Sequence, residues 1–207
     1  MNRPLIPPEL GEAPLDKLRA VIRDRPPDLV PPGRPYPVDR PYPVDVDEPQ
    51  LTHVDQAGAA RMVDVSAKAV SARLAVAACQ VNTTSTVIEL LRAGALPKGD
   101  ALAVARLAGI MGAKRTPDIV PLCHPIALHG VTVDLSLSDS CVQIICTAKT
   151  ADRTGVEMEA LTGAAAAGLA LIDMVKAVDP AASIERVRVL RKEGGKTGDW
   201  HRPEDRP

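Results

Sequence analysis

The spacing of apolar positions changes period several times along this chain, and each change predicts an element. Arg61 to Ser66 (RMVDVS) alternates apolar and polar residues and predicts a strand. Ala69 to Val81 fits either regular element: its β-branched residues and alternation favour a strand, its alanines a helix. Thr83-Thr84-Ser85 offers an N-cap for a helix running to about Ala93, and Asp100 caps a second helix, ALAVARLAGIMGAKR. The next segment, TPDIVPLCHP, carries three prolines, which should prevent regular structure. Val131 to Leu137 alternates strongly, Ser138-Asp139-Ser140 reads as a turn, and Val142 to Thr147 returns as the second arm of a hairpin. Gly155 to Val178 predicts a long Ala-rich helix ended by Asp179-Pro180. Ile184 to Leu190 predicts a last strand before the glycine loop KEGGKTGD. The order β-β-α-α-β-β-α-β predicts an α+β fold, with helices packed on one face of a mainly antiparallel sheet.

Residues 1–50 follow a different pattern. They hold thirteen of the twenty prolines, and RPYPVD occurs twice in tandem from Arg34 to Asp45. Proline removes amide donors and restricts its neighbours, so this extension is expected to be extended, unpacked and disordered, with a linker role. The folded domain is expected over 51–200, with a flexible tail at 201–207.

Composition narrows the function. The 207 residues include no Phe, two Tyr and one Trp, and the net charge is −1. Without aromatic platforms or a basic excess, nucleic-acid binding is not expected. The four cysteines form no C-x-x-C pair, which argues for reduced thiols rather than a zinc cluster. The N-terminal MNRPLIPPELGEAP has no apolar h-region, and no apolar run approaches the ~20 residues of a membrane span. A cytoplasmic protein without membrane contact is therefore expected.

Several side chains could carry chemistry. Asp173 and Lys176 are three apart and share a helical face. Glu159 lies fourteen residues before Asp173, close to four turns, and so projects near the same azimuth. Pro121 and Pro125 stiffen the loop that holds His124, whose imidazole suits recognition or proton transfer. Lys98 precedes a helix N-terminus, where an anionic ligand could join the lysine to the helix end. On spacing alone, an exposed ion pair is the better explanation of Asp173 and Lys176, while a loop histidine bonded to a carbonyl explains His124 as well as chemistry does. Lys192 and Lys196 bracket Gly194-Gly195, but this is not a Walker A loop, because Leu190 stands where its first glycine belongs. Isolated cations, two carboxylates and a stiffened histidine together fit a polyanionic substrate and acid–base chemistry.

At these residues the chain resembles the MoaC family, the cyclic pyranopterin monophosphate synthases of molybdenum cofactor biosynthesis. The stretches are LTH (51–53), MVDVSAK (62–68), KGDALAVARLAGI (98–110), AKRTPDIVPLCHP (113–125), TGVEMEALT (154–162), DMVKAV (173–178) and GGKTGD (194–199). The resemblance implies a ferredoxin-like fold and a homohexamer, a trimer of dimers with active sites at the dimer interface. It also implies a pyrophosphate-releasing lyase that converts (8S)-3′,8-cyclo-7,8-dihydroguanosine 5′-triphosphate to cyclic pyranopterin monophosphate. No metal or cofactor is implied, although the substrate phosphates could recruit Mg²⁺. By resemblance Asp173 is the active-site acid, and Lys98 and Lys176 are the catalytic lysines. Leu122, Cys123 and His124, with Met158 and Glu159, match substrate-contacting segments. Arg73 and Lys114 match cations near the substrate, and Glu157 is a further pocket residue. In TADRTGVEMEAL, Arg153 stands where the family often has lysine, which keeps the charge and changes the donor geometry. The alternative is a ferredoxin-like nucleotide-binding module without turnover, against which the Lys98, Asp173 and Lys176 set argues.

Overall fold

The structure, a computed structural model, describes residues 59–196 and 198–203. The RPYPVD repeat, Leu51-Thr52-His53 and most of the expected tail lie outside the described residues. The elements in chain order are β1 (Ser71–Asn82), α1 (Ser85–Ala93), α2 (Ala101–Ala113), a one-turn α3 (Thr116–Ile119) and β2 (Gly130–Leu137). They continue with β3 (Cys141–Asp152), α4 (Glu157–Val175), β4 (Ser183–Glu193) and the short β5 (Trp200–His201). The strands form one sheet in the order β2-β3-β1-β4-β5, every pairing antiparallel. With helices packed against it, this is the expected α+β, ferredoxin-like fold.

Local chemistry explains the element ends. The Thr84 hydroxyl accepts from the Val87 amide at the start of α1, and Gly94, at φ +63°, closes it in the left-handed region. The Asp100 carboxylate accepts from the Ala103 amide at 2.9 Å and starts α2 as expected. Buried Asp179 lies just beyond α4. Its carboxylate accepts from the Thr83 hydroxyl at 2.8 Å and the Ala181 amide at 3.0 Å, tying the helix end to the start of α1.

Ala75, Ala77, Cys79 and Val81 of β1 and Val142, Ile144, Cys146 and Ala148 of β3 face Ala160, Ala164, Ala167 and Leu171 of α4. Small side chains bring the layers close. A Cβ at Gly109 of α2 would lie 2.9 Å from the Gly163 carbonyl oxygen of α4, and one at Gly163 would lie 2.6 Å from Cys146 Sγ. The Cys79 and Cys146 thiols sit in this core, where burial pushes their pKa values up to about 11 and about 12. The length and composition of α4 match a membrane span, contrary to the expectation from the raw sequence, but half of its apolar window is buried inside the fold.

Three expectations need correction. Arg61 to Ser66 forms no strand; beyond an isolated bridge at Ala60 the segment runs irregular into a turn at Ser66, and among the described residues no strand pairs with it. TPDI forms a helical turn, since Pro117 falls in the first turn, where its missing N–H costs nothing. The long helix spans Glu157–Val175, shorter at both ends than the apolar pattern suggests.

Candidate functional site

α2 and α4 pack side by side, and the contacts of Gly109, Gly112 and Ala113 with residues 162–167 set them antiparallel. The helix pair therefore has two ends, and both carry polar clusters. At one end, the loop before α2 brings Lys98 to the C-terminus of α4. Lys98 Nζ donates to the Asp173 carbonyl at 2.7 Å and to its carboxylate at 3.1 Å. Lys176 Nζ meets the other carboxylate oxygen at 2.7 Å. The two ammonium groups, Lys176 first, hold the Asp173 carboxyl below the usual carboxylate range. All three side chains remain open to solvent.

At the other end, two cavities of about 370 and 280 Å³ share a wall made by Lys68, Thr154, Gly155 and Glu157. The first is lined by Val63 and Val65 from the irregular 61–70 segment, by Leu122, Cys123 and His124, and by Met158 and Glu159 of α4. His124 Nε2 lies 2.7 Å from the Val63 carbonyl oxygen. A carbonyl only accepts, so Nε2 carries the proton of this hydrogen bond. Glu159 is 3% exposed, and burial, helped by the Glu157 charge, pushes its pKa up. Cys123 is likewise held as a thiol, by burial and then by the Glu159 charge.

The second cavity is cationic: Lys68, Arg73, Arg153, Lys192 and Lys196 face only Glu157 and Glu193. Lys192 is paired with Glu157 at 3.2 Å. Arg73 Nε donates to the Asp152 carbonyl at 3.0 Å, which fixes its guanidinium at the rim. The glycine loop lies directly on it: Gly194 and Gly195 both have φ above +80°, and a Cβ on Gly195 would lie 2.5 Å from the Arg73 guanidinium. Among the described residues, no group of three His, Cys, Asp or Glu is placed to hold a metal ion.

The MoaC family profile matches residues 62–195, which span both ends of the helix pair. The chain belongs to the MoaC family. It is 63% identical to a cyclic pyranopterin monophosphate synthase of Streptomyces avermitilis over 153 residues, 74% of this chain and 90% of the relative. It is 58% identical to one from Nocardioides sp. (76% and 99%) and 55% identical to cyclic pyranopterin monophosphate synthase 2 of Mycobacterium tuberculosis (74% and 92%).

Of the residues that the MoaC resemblance singles out, Leu122, Cys123, His124, Glu157, Met158 and Glu159 meet in the first cavity, and Arg73 lines the second. Lys98, Asp173 and Lys176 meet each other, but at the far end of α4. Lys114 caps α2 as an exposed residue and lines neither cavity. The shared azimuth expected for Glu159 and Asp173 does not bring them together, because fourteen residues of helix separate them by roughly 21 Å. One is buried and the other exposed. Lys68 and Lys192 were not among the expected site residues. Lys68 sits in the MVDVSAK motif and Lys192 beside the glycine loop, so the signal was present without a role attached.

Proposed function

We propose that this chain is a cyclic pyranopterin monophosphate synthase whose active site is completed by a second copy of the chain. The substrate is (8S)-3′,8-cyclo-7,8-dihydroguanosine 5′-triphosphate, and the products are cyclic pyranopterin monophosphate and pyrophosphate. The observation that carries this reading is the pairing, at one end of α4, of a half-polar cavity with a cationic one of similar size. The first offers hydrogen-bond partners and apolar walls to the guanine-derived ring system. The second offers five cations to a triphosphate, and these neutralise the charge that builds as pyrophosphate leaves.

The chemistry opens a purine imidazole, builds the pyranopterin and closes a cyclic phosphate, so it needs groups that move protons. Lys98 and Lys176 are the acid–base pair in this reading, and Asp173, bonded to both, orients them. Within one chain those lysines stand too far from the cavities to act there. An antiparallel second copy, related by a two-fold axis across the middle of the α2–α4 pair, would lay its lysine end over the cavity end of the first. The exposed Val104, Leu107 and Met111 of α2 and Leu169 of α4 supply apolar surface that such a contact would cover. A homohexamer built as a trimer of dimers, and a cytoplasmic setting, belong to the same reading.

Incubation with the cyclic triphosphate should release pyrophosphate and cyclic pyranopterin monophosphate. Lys176→Ala and Arg73→Ala should each be inactive. Mixed and reassembled, they should recover about a quarter of wild-type turnover, because half of the dimers then hold one intact site out of two. Binding of the triphosphate without turnover would favour the non-catalytic module. Near-full activity of Lys98→Ala or Lys176→Ala would refute the acid–base assignment.

A further inference from the structure

Residues 61–70 supply wall to both cavities without joining the sheet. Val63 and Val65 line the first cavity, and Lys68 lines both. The segment has short-range order of its own: the Ser66 amide donates to Asp64 Oδ1 at 2.8 Å, and the Lys68 amide to the Val65 carbonyl at 3.0 Å. Two side chains from the body of the domain reach across to its carbonyls. His124 donates to Val63 at one end, and Arg153 Nε donates to the Lys68 carbonyl at 2.9 Å at the other.

The second contact uses what arginine has and lysine lacks. A guanidinium can commit Nε–H to one acceptor and keep both Nη groups for another, because its donors are spread over three nitrogens in a rigid fork. Arg153 also lines the cationic cavity, so the same side chain stands between the strap and the anion site. Its main chain is fixed in turn, since the Arg153 amide donates to the Asp152 carboxylate at 2.7 Å. A lysine here would have to serve both acceptors from a single nitrogen on a flexible stem, so it would hold the carbonyl only where the phosphate lay within reach of that same atom.

We propose that Arg153 is a positioning residue, whose Nε–H latches the 61–70 strap through the Lys68 carbonyl and so fixes the Lys68 ammonium at the junction of the two cavities. The role assigned to Lys68 rests on the proposed triphosphate reading; the latch itself does not.

The test uses the full chain. Amide hydrogen exchange is measured over 61–70 without ligand, and inorganic pyrophosphate binding is measured by calorimetry. Loss of the latch should raise exchange at Ser66 and Lys68 by about tenfold in both Arg153→Ala and Arg153→Lys, the ratio that one charge-assisted hydrogen bond sustains. Exchange at the Val63 end, held by His124, should stay as in the wild type. Arg153→Ala should weaken pyrophosphate binding by about tenfold, but by only about threefold in a Lys68→Ala background, because part of its effect runs through Lys68. Wild-type exchange in both variants overturns the latch. Faster exchange in Arg153→Ala but not in Arg153→Lys assigns the effect to charge, and also overturns it. Faster exchange in both, with no pyrophosphate binding by the wild-type chain, upholds the latch and sinks the phosphate reading instead.

Discussion

Gly109→Ala tests whether the close approach of α2 to α4 positions the lysine cluster. The added methyl would lie 2.9 Å from the Gly163 carbonyl oxygen, 2.9 Å from Val133 Cγ2 and 3.1 Å from Ala167 Cβ. Ordinary contact begins near ~3.5 Å, so α2 must retreat by roughly half an ångström. The nearest obstacle includes backbone of a buried helix, which cannot rotate aside. Overpacking of this kind costs about 1–3 kcal/mol. Replacing a mid-helix glycine returns about 0.8–1 kcal/mol of helix propensity. Because the obstacle is main chain that cannot give, the upper part of that range applies, about 2–3 kcal/mol, and a net loss of about 1–2 kcal/mol follows, with a melting temperature lower by about 2–8 °C in a domain of this size. Thermal unfolding at fixed protein concentration measures it, with Gly130→Ala as control, since a Cβ there meets nothing closer than 4.0 Å. Because the Lys98 loop leads directly into α2, turnover should fall with stability. A Gly109→Ala protein as stable as the wild type would refute the argument that this contact is tight.

Three further outcomes are expected. Asp173→Asn removes the charge that holds Lys98 and Lys176 together, and steady-state assay should show turnover reduced by about 10²-fold or more, with little change in melting temperature. The folded state binds the proton of Glu159 more tightly than the unfolded chain does. Stability should therefore fall as pH rises from the ordinary carboxylate range through the raised folded value, and Glu159→Gln should flatten that limb in denaturant titrations at several pH values. Gly195→Ala, strained at φ +82° and driven against the Arg73 guanidinium, should weaken pyrophosphate binding by about tenfold in calorimetry.

Most elements were legible because their signals are local. Thr84 and Asp100 cap helices through their own side chains, and the turn at 138–140 needs no partner to be recognised. The failure at Arg61 to Ser66 came from the same logic. Alternation there places Val63 and Val65 in a cavity wall, and a period of two cannot tell a wall from a sheet face. The 69–81 ambiguity was settled by β3 and β4, which flank β1 on both sides. The site divided in the same way. Asp173 and Lys176 are neighbours by helical spacing, whereas Lys98 joins them only through the antiparallel packing of α2 on α4. Lys68 and Arg153 meet through a backbone carbonyl, a contact that leaves no pattern in side-chain identity.

The lone indole of this protein falls in a useful place. Trp200 pairs with Lys192 across the sheet edge, and the Arg202 guanidinium lies 5.6 Å from its ring centre. Phenylalanine is missing altogether, and both tyrosines precede residue 51. Ultraviolet emission from the native chain excited at the indole band therefore originates beside the glycine loop. A spectrometer can follow what happens at that rim with no label attached, while the aliphatic interior stays dark.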